Sequence, residues 1–114
     1  VASLLDTTTD VTNGVDNSIQ SPKKFTLEQN YPNPFNAGTN ISYSLTKDIH
    51  IQLSVYNIVG EKVAVLDSGK KSAGNYMVFW DGKNSKGYSL PSGLYLYRLD
   101  AGEFKSMKKM FLIK

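Results

Sequence analysis

Few residues in this chain have both the type and the spacing that chemistry requires. His50 is the single histidine among 114 residues, and the chain has no cysteine. His50 falls on the polar side of an alternating strand pattern, with no Ser/Asp arrangement beside it. It therefore reads as a solvated strand residue, not as a general base or a metal ligand. The ten carboxylates are spread over loops and strand ends. A paired acid and base would need a cleft, which a domain this small hardly forms. The stretch "DGKNSKG" at 81–87 has some of the look of a calcium loop. Lys83, however, stands in its third position, where an oxygen ligand is required, so the stretch reads as a Gly-rich hairpin loop. No Gly-rich phosphate loop follows a strand and opens a helix. Seven tyrosines and one tryptophan would form a sugar-stacking platform if they were exposed. Alternation instead sends Tyr43, Tyr76, Trp80, Tyr95 and Tyr97 inward and leaves Tyr31, Tyr56 and Tyr88 for the surface. The expectation is a domain that is recognised or that binds, not an enzyme, with no cofactor and no metal.

Two clusters remain. One is "NYPNPFNAGTNISYSL" at 30–45, with two prolines and two aromatics in its first half. Pro32 and Pro34 fix φ, and each biases its predecessor, Tyr31 or Asn33, toward extended backbone. The stretch reads as a stiff, non-helical lead-in that aims Ile41, Tyr43 and Leu45 into a core, with Tyr31 or Phe35 packing over the end of the fold. The other cluster is Lys105, Lys108, Lys109 and Lys114, within the last ten residues. Lysines there either protect an edge strand against pairing or offer charge to a partner. The two clusters form one recognition surface only if they lie close together.

The elements that must position them are strands. "KFTLEQNY" alternates, with Phe25 and Leu27 on one face. "TNISYSLT" puts Ile41, Tyr43 and Leu45 inward and Asn40, Ser42 and Ser44 outward. "DIHIQLSVYNIVG" puts Ile49, Ile51, Leu53 and Val55 on one face, and His50, Gln52, Ser54 and Tyr56 on the other. After a turn at Asn57–Glu61 around Gly60, "KVAVLDSG" is a shorter strand. "GNYMVFWDG" shares Tyr76, Val78 and Trp80 on one face. "GLYLYRLDAG" must face Arg98 outward, so Tyr95, Tyr97 and Leu99 face inward. In "EFKSMKKMFLIK" the lysines break the alternation and leave its register open. Seven short strands, turn signals about every ten residues and no helical period predict an all-β fold. The expected form is a seven-stranded antiparallel β-sandwich of immunoglobulin or fibronectin type III character, with a small open barrel as the alternative.

Length fits one domain, at residues 24–114. Residues 1–23, rich in Thr, Asp, Asn and Ser and without period, read as a flexible linker from a missing upstream domain. Absent cysteine rules out disulfides and thiolate metal sites. No apolar run approaches the roughly 20 residues of a membrane helix, so stable insertion is not expected. A net charge of +3 without a helix-turn-helix, zinc-finger or RRM pattern points away from nucleic acid.

Five motifs occur in one order: "QNYPNPFNAGTNISYSL", "VYNIVGEKVAVL", "AGNYMVFWDGKNSKG", "PSGLYLYRL" and "KSMKKMFLIK". Together they resemble the type A C-terminal sorting domain of the type IX secretion system, over Phe25 to Lys114. One departure is Ala37-Gly38, where that family usually carries Pro-Ser or Pro-Thr. The resemblance implies a seven-stranded sandwich that ends secreted proteins and directs an upstream cargo across the outer membrane of certain Gram-negative bacteria. It implies an outer-membrane shuttle and a sortase as partners. The sortase removes the domain, attaching the cargo to the cell surface, with cleavage before Phe25. The implied recognition residues are Tyr31, Pro32, Asn33, Pro34, Phe35 and Asn36, Gly93 and Tyr95 of "GLY", and Lys108, Lys109 and Lys114, on a monomeric domain. The same sandwich is also similar to the immunoglobulin-like domain of flagellar hook-capping proteins and to C-terminal modules of glycoside hydrolases. That resemblance implies a structural, adhesive or carbohydrate-binding module instead. The expected discriminator is position, since a sorting signal must end its protein.

Overall fold

The computed structural model describes residues 22–114. The expected linker at 1–23 therefore lies, apart from its last two residues, outside the described residues. Within them the chain forms β1 (Thr26–Leu27), β2 (Thr39–Leu45), β3 (Ile49–Tyr56), β4 (Lys62–Lys71), β5 (Gly74–Trp80), β6 (Gly93–Ala101) and β7 (Phe104–Leu112). They make two antiparallel sheets, one ordered β1-β2-β5 and the other β4-β3-β6-β7. The alternation sets the faces. Ile41, Tyr43 and Leu45 of β2 are buried, as are Ile51, Leu53 and Val55 of β3 and Tyr95, Tyr97, Leu99 and Ala101 of β6. These inner faces interdigitate with Trp80 of β5 to form the sandwich core.

Two buried tyrosines tie the sheets together at opposite sides. The Tyr43 hydroxyl donates to Asp67 Oδ2 of β4 at 2.6 Å. The Tyr97 hydroxyl donates to the Glu28 carbonyl at 2.7 Å and accepts from the Asn30 amide at 2.8 Å. A buried phenol that kept its hydrogen bonding empty would cost stability, so each of these contacts secures its ring in place. Burial pushes the Tyr97 hydroxyl up to about 12, and the Glu28 charge adds to this while the Asn30 amide opposes it. Burial, and then the Asp67 hydrogen bond, raises Tyr43 as well.

Several details depart from the sequence reading. Ser44 and Ser54 carry outward parity yet are buried. Ser44 Oγ shares a 2.6 Å bond with Thr26 Oγ1 and reaches the Lys24 carbonyl, and Ser54 Oγ donates to Gln52 Oε1 at 3.0 Å. Satisfied hydroxyls can sit under neighbouring side chains on an outer face. Tyr76 is only half-buried, stacked on Tyr43 at 5.2 Å, with its hydroxyl donating to the Ser72 carbonyl. β4 runs ten residues, longer than expected, because two register shifts against β3 absorb Val63 and Leu66. Such bulges bend and twist a strand without ending it. The 81–92 loop crosses from one sheet to the other, so "DGKNSKG" does not join neighbouring strands. Its local turn is held by Asn84 Oδ1, which accepts from the Lys86 and Tyr88 amides. The register of β7, open in the sequence, runs without shift from Gly93↔Leu112 to Ala101↔Phe104.

Candidate functional site

The 30–39 segment is built around two buried polar residues, Asn30 and Thr39. Asn30 Nδ2 donates to the Pro32 carbonyl at 3.1 Å and to Thr39 Oγ1 at 3.0 Å, and the Thr39 hydroxyl donates to the same Pro32 carbonyl at 2.8 Å. Asn30 Oδ1 accepts from Gln29 Nε2 at 2.7 Å. This knot holds the chain where proline leaves amides missing, and both the Tyr31–Pro32 and Asn33–Pro34 bonds are cis. The segment leaves the sheet at Tyr31, whose backbone pairs with Asn40, and turns Phe35 inward.

Phe35 is 2% exposed. Its ring packs on Trp80 at 5.6 Å, and Trp80 in turn meets Tyr95 edge-on at 5.7 Å. Beneath it lies Gly82, at φ +78°, where a β-carbon would come within 3.4 Å of Leu112 and 3.8 Å of Phe35. Trp80 Nε1 donates to the Lys83 carbonyl at 2.9 Å, which fixes the ring's orientation.

From this anchor the segment zips onto the free side of β7. The Phe35 amide donates to the Phe111 carbonyl (2.9 Å), and the Ile113 amide donates to the Phe35 carbonyl (2.8 Å). The Phe111 amide donates to Asn33 Oδ1 (3.0 Å), Asn36 Nδ2 to the Ile113 carbonyl (3.0 Å), and Gln29 Nε2 to the Lys109 carbonyl (2.7 Å). Phe35 and Leu112 form a parallel bridge. The "GLY" stretch joins the same end, since Gly93 pairs with Leu112 and the Lys114 amide donates to Ser92 Oγ at 2.8 Å.

The sequence-derived residues thus converge, though not all as surface. Asn33, Asn36, Gly93 and Lys114 lie around the sealed end of β7, with Pro32 and Pro34 exposed on the loop. Phe35 and Tyr95 are core residues of that end, and the Tyr95 hydroxyl donates to the Pro91 carbonyl. Phe35 is the ring that closes over the end of the sandwich; Tyr31 is 79% exposed instead. By its pairing with Asn40, and of Asn40 with Phe79, Tyr31 shares a row on the outer face of the three-stranded sheet. Lys109 is exposed, whereas Lys108 has the parity of the buried Met110 and Leu112 and is half-buried. Asn30, Thr39 and Gln29 carry much of the geometry and were not singled out from the sequence. The signal for them is an asparagine immediately before an X-Pro pair, but its partner Thr39 lies nine residues on.

No three His, Cys, Asp or Glu side chains come together as a metal site among the described residues. The arrangement offers a rigid, hydrogen-bonded surface made of three distant stretches of chain.

The fold and this surface define an immunoglobulin-like β-sandwich. Its sequence matches the FlgD Ig-like domain over residues 29–103, so the chain belongs to that family. The match stops one residue short of β7. No curated protein matches the chain. Among solved structures, dimeric latent PorU from Porphyromonas gingivalis is similar at TM-score 0.63 and 19% identity, covering 81% of this chain and 10% of that one. PorZ, described as an essential bacterial surface component of the type-IX secretion system of the same organism, is similar at TM-score 0.51 and 15% identity, covering 85% of this chain and 12% of that one. The chain thus spans about a tenth of the length of these structures, and the likeness is one of fold.

Proposed function

We propose that this domain is a sorting domain for type IX secretion, a folded tag that carries an upstream cargo across the outer membrane of a Gram-negative bacterium. The observation that carries this reading is the convergence at one end of the sandwich. Three motifs of the sorting-domain resemblance, at 31–36, 93–95 and 108–114, are far apart in sequence and are joined there by the contacts around Phe35 and Leu112. Fold likeness to PorU and PorZ supports the same system. The outer-membrane shuttle reads the folded end, and the sortase then cuts in the N-terminal linker and places the cargo on the cell surface. In this reading the domain is a monomeric substrate of the sortase, not itself an enzyme, and needs no cofactor.

The test is a fluorescent reporter bearing residues 1–114, expressed in a type IX-competent strain. The intact fusion reaches the surface or medium, and deletion of Lys105–Lys114 leaves it in the periplasm. A folded variant, Lys109→Glu with Lys114→Glu, lowers surface delivery as well. Surface delivery that survives the deletion, or an intact fusion that stays periplasmic, overturns the reading.

A second reading, a structural or carbohydrate-binding module of a secreted enzyme, draws on the exposed row of Tyr31, Asn40 and Phe79, where Phe79 is 61% exposed. Under the sorting reading the purified chain is not retained by cellulose or xylan; saturable retention favours the module.

A further inference from the structure

Both backbone groups of Phe111 bond the 30–36 segment and not β6. In an antiparallel ladder, residues alternate between facing the partner and facing away. With the unshifted β6–β7 register, Lys105, Met107 and Lys109 therefore point their amides and carbonyls to the free side of β7 as well. Of these six groups the Lys109 carbonyl is taken by Gln29. The amides of Lys105, Met107 and Lys109 and the carbonyls of Lys105 and Met107 are left facing outward. They form an unbonded stretch five residues long, with the chain's own 25–29 segment passing beside β7, Phe25 stacked on Phe104 at 5.4 Å at one end and Gln29 on the Lys109 carbonyl at the other.

The charged side chains of β7 itself along this window are all positive. Lys105 and Lys109 lie on the outer face and Lys108 on the inner side, and β7 contains no acidic residue. Asp100 is the carboxylate that reaches Lys105, at 3.3 Å, and it also accepts from Arg98 at 3.1 Å. Between the lysines Met107 is 48% exposed, and a recess of about 380 Å³ lined by Gln29, Leu96, Met107, Lys108 and Lys109 opens beside it. A second copy of this chain pairing here would bring like charges together.

We infer that the Lys105–Lys109 window takes an extended acidic segment of a partner protein, which adds as a fifth strand to the four-stranded sheet. Main-chain hydrogen bonds supply the affinity and the side chains the selection. The chemistry fixes a pattern: carboxylates opposite Lys105, Lys108 and Lys109, and an apolar side chain opposite Met107. The incoming strand runs no further than Lys109, because Gln29 already holds its carbonyl. This site shares Lys108 and Lys109 with the proposed sorting surface but stands on the edge geometry, and peptide binding to the purified chain is read apart from surface delivery.

The test uses the 15N-labelled chain 1–114 and a synthetic peptide with the pattern carboxylate–polar–apolar–carboxylate–carboxylate between Gly/Ser flanks. A second peptide replaces its carboxylates by lysine. The expected result is at least tenfold slower hydrogen exchange at the Lys105, Met107 and Lys109 amides on saturation with the acidic peptide. No such change occurs in β4, and affinity falls at high salt. Lys108→Glu with Lys109→Glu raises Kd at least tenfold. Met107→Pro removes an outward amide, so it leaves the fold intact and abolishes binding, whereas Ser106→Pro breaks the ladder opposite Leu99 and unfolds the edge. The inference is overturned if the lysine peptide binds equally well, or if perturbations fall on another strand. It is equally overturned if the three amides are already protected in the peptide-free chain, because the window is then covered by this chain or a second copy.

Discussion

β4 and β7 are the opposite edges of the four-stranded sheet, both rich in lysine, and they end the sheet by different means. β4 is distorted. Val63 and Leu66 are extra residues against β3, and Gly69 sits at φ +109° with open space around it. A bulged, twisted edge presents no regular row of groups to a newcomer. β7 is regular over all nine of its pairs with β6. Its protection is borrowed from a segment 77–80 residues away, which covers one half and leaves the other open. The difference teaches that shape protects an edge everywhere along it, while a covering segment leaves a window of defined length.

The strongest way to break this comparison is to remove the anchor of the cover. Phe35→Ala is expected to cost about 3–5 kcal/mol, as for a buried aromatic, in denaturant melts. It should speed hydrogen exchange at Phe111 and Ile113 well before it does so in β4. Equal loosening of both edges would show that the seal is not local.

The next effect is read through pH. Tyr97 ties the 28–30 segment to β6, and its pKa is raised, so the folded state holds that proton more tightly than the unfolded state. Its contribution is whole below about pH 10, the unfolded value, and is lost as pH climbs toward about 12. The chain should lose about 1.4 kcal/mol more per pH unit across that window than Tyr97→Phe does. Parallel pH–stability curves for the two proteins would contradict this. Tyr43, raised by burial and by its bond to Asp67, contributes in the same direction.

Smaller effects separate the two edges more finely. Asn33→Ala removes the acceptor of the Phe111 amide and should cost about 1 kcal/mol, with faster exchange at that amide alone. Gly69→Ala should cost about the same, through backbone strain at positive φ, and should leave the β7 amides unchanged. A neutral Gly69→Ala would mean that the bulges hold the β4 edge without help from glycine.

The sandwich was legible because one-sided burial writes itself as alternation. Ile41, Tyr43 and Leu45, or Tyr95, Tyr97 and Leu99, could face only one way. β7 was not legible, since an edge strand's inner positions near the rim are half-solvated and tolerate Lys108 and Ser106 beside Met110 and Leu112. Ser54 misled for the converse reason: a small hydroxyl with a partner needs no apolar neighbourhood to be buried. The clusters at 30–36 and 105–114 were visible as unusual composition. Their union was not, because it depends on contacts between Phe35 and Leu112 that no local period records. Asn30 and Thr39 were hidden in the same way, as a polar knot legible only in three dimensions.

The seal around Phe35 also sets an order of events. Its two halves stand 77–80 residues apart in the chain, and closing so long a loop is slow compared with pairing neighbouring strands. While β7 is unmade, Phe35 has no Leu112 beside it, and the end of the sandwich stays open. The domain therefore reports on its own completion: the surface built from the 30–36 segment exists only once the last strand has arrived to clasp it.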